Sequence, residues 1–233
     1  MPNASTTTIV SLGGSLVAPS GVAVDFLAGF HRLVVNWLDE VPGRRLVLIV
    51  GGGAPARVYQ EAYRSLCAQP QAQTQDWIGI MATRLNAQLV KALFEKDCPS
   101  EVVTDPLGNW DWSGRVLVAA GWKPGFSTDF DAVVLAERFG AKTVVNLSNI
   151  AQVFTDDPKT NPAAQPLTSA TWTEFKKIVG GEWVPGKNTP FDPVATKKAA
   201  DLGLSVYVAS GTDLENLGKI LRGKPFLGTV IHP

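Results

Sequence analysis

The chain has 233 residues, 45% of them hydrophobic, with 21 basic and 21 acidic side chains that cancel to a formal net charge of zero. That length and composition suit one large α/β domain or two small lobes around a substantial core, and the balanced charge leaves no global field to recruit nucleic acid or an acidic membrane. No apolar run approaches the roughly 18 residues of a membrane span, and the first eight residues lack the charged start and apolar stretch of a signal peptide. Two isolated cysteines, Cys67 and Cys98, point to a reduced, cytoplasmic compartment rather than a disulfide framework.

In chain order, Ile-Val-Ser-Leu-Gly-Gly-Ser at 9–15 reads as a short strand running into glycines. Phe26, Phe30, Leu33, Val34, Trp37 and Leu38 then fall at helical spacing, and Pro42-Gly43 ends that helix. Leu-Val-Leu-Ile-Val-Gly-Gly-Gly at 46–53 is a second strand closed by glycine, the continuous apolar run of a buried parallel strand. A helix follows from Ala54 to about Leu66. Strand, glycine loop, helix and strand predict a crossover unit with both glycine loops at the carboxyl edge of one sheet, where open α/β sheets bind ligands. Glycines let the backbone turn sharply and bring its amides close to an anion at a helix start. Arg57, one turn into the helix, is placed to reach the same anion. Neither loop is a Walker loop or a G-x-G-x-x-G dinucleotide loop.

Residues 76–94 predict a long amphipathic helix with Ile80, Leu85, Leu89, Leu93 and Phe94 near one face. Asp76 stands at its start, where capping is its first role and a ligand hydroxyl its second. Arg84 and Asn86 are polar in an otherwise apolar helix, which suggests a subunit contact or a lobe junction. Residues 115–121 form a third glycine-ended strand, followed by Trp-Lys-Pro-Gly-Phe-Ser-Thr-Asp at 122–129 and a helix from about Ala132 to Phe139. Ser127, Thr128 and Asp129 sit at that helix start, as caps or as a second phosphate site. Trp110, Trp112 and Trp122 lie close to this loop in sequence. Residues 142–147 are the next strand, and Asp156-Asp157-Pro158-Lys159 reads as a solvated turn.

Taken in order, Ser-Leu-Gly-Gly-Ser, Val-Gly-Gly-Gly-x-x-Ala-Arg, Asp-Trp-Ile-Gly-Ile-x-x-Thr-Arg-x-Asn-Ala, Pro-Gly-x-Ser-Thr-Asp, Asp-Pro-Lys, Asp-Pro-x-Ala-x-Lys and a terminal Gly-Thr-Val-Ile resemble the amino-acid kinase superfamily, and within it the archaeal-type uridylate kinase branch. The resemblance spans residues 9–231. It implies a single three-layer α/β/α domain with a mostly parallel central sheet, an acceptor half at about 1–140 and an ATP half at about 141–233. It implies transfer of the γ-phosphoryl of ATP to UMP with Mg²⁺, no metal ligands assigned on the chain, and a hexamer built as a trimer of dimers, with Trp37, Trp77 and the Arg84 helix as a possible dimer seam.

By the same resemblance, Ser11, Leu12, Gly13, Gly14, Ser15 and Gly53 line the transferring phosphates, and Arg57 grips phosphate. Gly52, Asp76 and the loop Trp122, Lys123, Pro124, Gly125, Phe126, Ser127 and Thr128 bind UMP, with Asp76 on the ribose. Ser148, Asn149, Phe154 and Asp157 hold adenine and ribose. Lys197 contacts the ATP phosphates, with Lys198 beside it as the other choice, and Asp129 orients the cationic groups. The chain departs from the family in having Ser11 where many members carry lysine, Trp122-Lys123 in place of a threonine-containing loop, and Ala151-Gln152-Val153-Phe154 at the adenine end. Lys123 is the candidate to supply the cation missing at Ser11. Two other readings stay open: a kinase of the same fold with another small phosphate or carboxylate acceptor, and a non-catalytic nucleotide or oxyanion binder of the molybdenum-storage type. Isopentenyl phosphate and fosfomycin kinases fit poorly, because the only histidines are His31 and His232.

Overall fold

Short apolar strands alternate with amphipathic helices along most of the chain. The computed structural model describes residues 7–180 and 189–233, so the reading of the amino terminus as lacking a signal peptide falls, for residues 1–6, outside the described residues. The order is β1 (Thr7–Leu12), α1 (Gly14–Val17), α2 (Val24–Glu40), β2 (Arg45–Val50), α3 (Gly53–Leu66), α4 (Ala72–Leu93), β3 (Val116–Ala119), α5 (Thr128–Phe139), β4 (Thr143–Ser148), β5 (Val153–Phe154), β6 (Pro166–Leu167), β7 (Ser169–Thr171), α6 (Trp172–Val179), α7 (Pro193–Asp201), β8 (Ser205–Ser210), α8 (Leu214–Leu221) and β9 (Thr229–His232). Seven strands form one sheet in the order β3-β2-β1-β4-β8-β9-β7. The run β3-β2-β1-β4-β8 is parallel throughout, and β9 is antiparallel to β8. β5 and β6 make a separate two-stranded ribbon.

The sheet is buried on both faces because successive side chains alternate. Val10, Leu12, Leu46, Leu48, Val50, Val116 and Val118 point into a cluster closed by Phe30, Trp37, Ala87, Phe94 and Leu217 of α2, α4, α8 and the turn after α4. Ile9, Val47, Ile49, Leu117 and Ala119 point the other way, against Leu135, Phe175 and Ala199 of α5, α6 and α7. Helices on both sides of a mostly parallel sheet make the three-layer α/β/α arrangement that the sequence predicts. Helix α3 buries none of its residues and packs on α4 instead.

Several local expectations are corrected. Helix α4 starts at Ala72, with Gln71 as N-cap residue, so Asp76 lies in its second turn and caps nothing. Its buried face is Ile80, Thr83, Asn86, Ala87 and Val90, whereas Leu85 is 68% exposed. The two polar residues are buried because they have polar partners to meet, and the leucine faces outward. Helix α5 begins at Thr128, four residues earlier than predicted, because the Ser127 hydroxyl accepts the Phe130 amide at 3.2 Å. Gly140, left-handed at φ 66°, ends it. Trp37 is 2% exposed, and its indole N–H donates to the Leu221 carbonyl at 2.9 Å, so it joins α2 to α8 inside the chain and offers no seam. Trp110 and Trp112 pack on Phe139, at the far end of α5 from the acceptor loop, under Arg138 and Arg45.

Candidate active site

Five parallel strands put five loops at one edge of the sheet, those following Leu12, Val50, Ala119, Ser148 and Ser210. Backbone bonds tie them together: Gly51 N–H donates to the Leu12 carbonyl at 3.0 Å, Gly13 N–H to Leu147 at 2.9 Å and Gly211 N–H to Ser148 at 2.8 Å. The two glycine loops also touch each other. A Cβ on Gly14 would stand 2.5 Å from the Gly51 carbonyl carbon, and one on Gly13 would stand 2.7 Å from the Leu147 carbonyl oxygen. Part of the glycine requirement is therefore loop-on-loop packing. Leu12 is fully buried, its side chain in the core and its carbonyl taken by Gly51. Ser15 and Gly53 are half-buried beside it.

The loop at 121–128 is held from outside by two helices. From α4, the Thr83 hydroxyl accepts the Gly121 amide at 2.8 Å, the Arg84 guanidinium donates to the Trp122 carbonyl at 3.1 Å, and an Asp76 carboxylate oxygen accepts the Gly125 amide at 2.9 Å. From α5, Asp131 accepts the Trp122 amide at 3.1 Å. Inside the loop, Pro124 and Gly125 are the central pair of a tight turn: Phe126 N–H donates to the Lys123 carbonyl at 3.3 Å, and Gly125 adopts φ 86°, which a side chain would resist. Trp122, Phe126 and Phe130 form an aromatic run with centroid separations of 5.2 and 4.6 Å. Lys123 stands 3.8 Å over the Trp122 ring and 5.3 Å from that of Phe126. Its charge thus rests on ring faces, and none of the hydrogen bonds of Ser11 or Asp129 among the described residues involves it.

The amino end of α5 meets β1 and α7. Ser11, 3% exposed, donates its hydroxyl to Asp129 at 3.1 Å, and the Asp192 amide donates to the other Asp129 oxygen at 3.2 Å. Asp129 therefore faces a hydroxyl and an amide, not a cation. Burial, reinforced by the neighbouring Asp192 charge, pushes its carboxyl up to about 6, against the pull of the two hydrogen bonds. Asp192 caps α7 by accepting the Ala195 amide at 2.7 Å. Its second oxygen and the Thr196 hydroxyl are buried without partners, and burial raises its carboxyl as well.

The cations are less constrained. Arg57 and Lys197 are exposed, and none of the ion pairs among the described residues uses them. Lys198 is tied to Glu137 at 2.6 Å, which leaves Lys197 as the lysine available to a ligand. On the other side, Ser148 accepts the Ile150 amide, Asn149 is exposed, and Phe154 pairs with Pro166 in the small ribbon. Asp157 accepts the Lys159 amide at 2.9 Å within its own turn, as a solvated turn requires.

Four side chains that hold these loops, Thr83, Arg84, Asn86 and Asp131, were not singled out as site residues from the sequence. Asn86 donates to the Gly51 and Gly52 carbonyls at 2.8 and 3.0 Å, so the polar residue expected at a subunit contact instead clamps the glycine triplet from within. Thr83 and Asp131 act on Gly121 and Trp122. Polar residues on the buried face of an otherwise apolar helix were the available signal.

A family model described as the amino acid kinase family matches residues 6–210. A uridylate kinase of Pyrococcus abyssi is 32% identical over 97% of this chain and 99% of its own length. One from Methanospirillum hungatei is 35% identical over 97% and 94%. The crystal structure of the uridylate kinase from Archaeoglobus fulgidus superposes with a TM-score of 0.78 at 29% identity, covering 97% of this chain and 99% of that one. The UMP kinase of Bacillus anthracis, at a TM-score of 0.77 and 18% identity, shares the fold.

Proposed function

The chain belongs to the amino acid kinase family, and from that premise we propose that it is a uridylate kinase, which transfers the γ-phosphoryl group of ATP to UMP to give ADP and UDP. The observation that carries the acceptor assignment is the Asp76–Gly125 hydrogen bond, which joins the acidic residue of α4 to the Pro-Gly loop. Asp76 keeps a second carboxylate oxygen for a ribose hydroxyl. Gly52 and residues 122–128 line the UMP side in this reading. Ser11, Gly13, Gly14, Ser15 and Gly53 line the transferring phosphates, Leu12 through its backbone. Residues from about 141 onward carry ATP, with Ser148, Asn149, Phe154 and Asp157 around its nucleoside.

Phosphoryl transfer asks for alignment and neutralisation of charge on the transferring oxygens. The acceptor is itself a phosphate oxygen, so no general base is required. Arg57 and Lys197 supply exposed cations, Arg57 gripping phosphate at the end of the glycine triplet and Lys197 contacting the ATP phosphates. Asp129, held by Ser11 and the Asp192 amide, orients those cations as they arrive with substrate. Mg²⁺ would enter, in this reading, as part of the ATP complex and neutralise phosphate charge there.

Copies of the chain associate, in this reading, through the apolar outer face of α3 and α4, where Tyr59, Leu66, Trp77, Met81 and Leu85 are exposed; a hexamer is the assembly expected, and sedimentation velocity tests it. The free thiols of Cys67 and Cys98 suit a cytoplasmic setting. Among the described residues no helix is long and apolar enough to cross a membrane.

The test is ADP release with ATP and Mg²⁺, offering UMP, isopentenyl phosphate and carbamate separately. Turnover with UMP far above the others supports the reading. Turnover with another acceptor alone replaces the substrate. One observation favours a second reading, a nucleotide or oxyanion binder without turnover: Ser11 rather than a cation faces Asp129. ATP binding without ADP release under all acceptors selects it.

A further inference from the structure

Trp122 is held at both ends by ionisable side chains; among the described residues neither has another hydrogen-bond partner, and Arg84 also lies 5.7 Å from the centroid of the Trp77 ring. Its N–H donates to Asp131 of α5 and its carbonyl accepts from Arg84 of α4, each at 3.1 Å. Asp131 is 1% exposed, and its other oxygen has no hydrogen-bond partner; the Nε of Arg84 is buried and equally unpartnered. Neither residue forms an ion pair among the described residues. Burying a carboxyl and a guanidinium nitrogen without full satisfaction is costly, and the positions that follow Asp131 on α5, Ala132, Val133, Val134, Leu135 and Ala136, are all apolar. Packing alone calls for another apolar residue there. The one thing the two polar side chains share is the backbone of Trp122.

We propose that Arg84 and Asp131 are positioning residues for the acceptor: by gripping Trp122 from two helices they fix the entry of the 121–128 loop and the aromatic run Trp122–Phe126–Phe130, and thereby set the affinity for UMP. The proposal rests on reading that loop as the UMP-binding one. A carboxylate binds an amide more strongly than a carboxylic acid does, so the grip depends on the charge of Asp131. Burial pushes that carboxyl up to about 8; the charges of Asp129 and Asp105 push the same way, and the Trp122 amide opposes them. From α4, the guanidinium of Arg84 reaches the group only through Trp122. The grip therefore tightens as pH rises through about 8, a range in which the phosphate of UMP, with a second pKa near 6, is already fully ionised.

The experiment compares wild type with Arg84→Ala, Arg84→Lys, Asp131→Asn and Asp131→Ala at pH 7.0 and 8.5. It reads KM for UMP, KM for ATP and kcat, together with hydrogen exchange across residues 121–127. Loss of one hydrogen bond to a charged group corresponds to about a tenfold change. Arg84→Ala is expected to raise KM for UMP about tenfold and leave KM for ATP within twofold, with Arg84→Lys recovering most of the loss. Wild type is expected to bind UMP about threefold more tightly at pH 8.5 than at 7.0. Asp131→Asn, which keeps an oxygen for the Trp122 amide but cannot ionise, is expected to abolish that dependence. Folded variants whose KM for UMP is unchanged, or rises together with KM for ATP, overturn the proposal, as does an unaltered pH dependence in Asp131→Asn. If wild type neither binds nor phosphorylates UMP, the reading of the loop fails, and exchange then decides the positioning claim. Faster exchange at 121–127 in Arg84→Ala and Asp131→Ala upholds the claim that they hold the loop, and unchanged exchange refutes it.

Discussion

The loops at 121–128 and 148–161 leave the same sheet edge and are held in opposite ways. The first is pinned by side chains distant in sequence: Asp76, Thr83 and Arg84 from α4, and Asp131 from α5. Much of the second satisfies itself. Ser148 caps Ile150, Asp156 accepts from Asn161, Asp157 accepts from Lys159, and Thr155 accepts the Gln165 amide across its own ribbon; the loop's outward ties run from Gln152 to Leu167 and Gly228, from the Val153 amide to the Thr229 hydroxyl and from the Gly211 amide to the Ser148 carbonyl. A loop fixed by its surroundings presents one shape to a ligand. A loop closed on itself keeps its shape without help and can adjust as a unit. On the proposed assignment, the acceptor end would therefore be the selective one, and the donor end the tolerant one.

The largest test of that contrast is Arg57→Ala. Arg57 forms no ion pair among the described residues, and in the proposed reading it grips phosphate, so its loss would remove a charge-assisted contact. kcat/KM for UMP is expected to fall about a hundredfold or more, measured by initial rates. Next is Asn86→Ala, which strands the Gly51 and Gly52 carbonyls. It is expected to destabilise the fold by about 2 kcal/mol in denaturant titration, with the glycine triplet exchanging faster.

A smaller effect comes from pH. Asp129 and Asp131 both have carboxyls raised in the fold, to about 6 and about 8. A raised carboxyl stabilises the native state when protonated, and that contribution is lost as pH climbs from the unfolded value near 4 toward the folded one. Melting temperature of the ligand-free protein is thus expected to fall between pH 6 and 8, and the fall is expected to flatten in Asp131→Asn. The smallest effect is on the donor side: Asp157→Ala is expected to change KM for ATP by about threefold at most, since its carboxylate is engaged by the Lys159 amide.

The strands, the crossover units and the glycine loops were legible because continuous apolar runs ending in glycine have few other solutions in an α/β fold. The residues that grip the loops were less so. Arg84 and Asn86 stood out as polar on a buried helix, but the sequence cannot tell an internal carbonyl from a neighbouring subunit as their partner. Asp131 sits one turn past an N-cap, where an acidic residue is ordinary, and only its burial marks it. Asp76 was placed at a helix start although Gln73, Thr74 and Gln75 before it are polar helix residues; the helix extends back to Ala72 through positions that carry no periodic apolar signal.

The most direct measurement is a rate matrix of three acceptors, UMP, CMP and dUMP, against two donors, ATP and GTP, under one set of conditions. A site that hydrogen-bonds a substrate hydroxyl rejects the analogue lacking it. UMP is expected to exceed CMP and dUMP by about a hundredfold or more in kcat/KM, while ATP exceeds GTP by about tenfold or less. Equal use of the three acceptors, or strong donor choice with weak acceptor choice, contradicts the account.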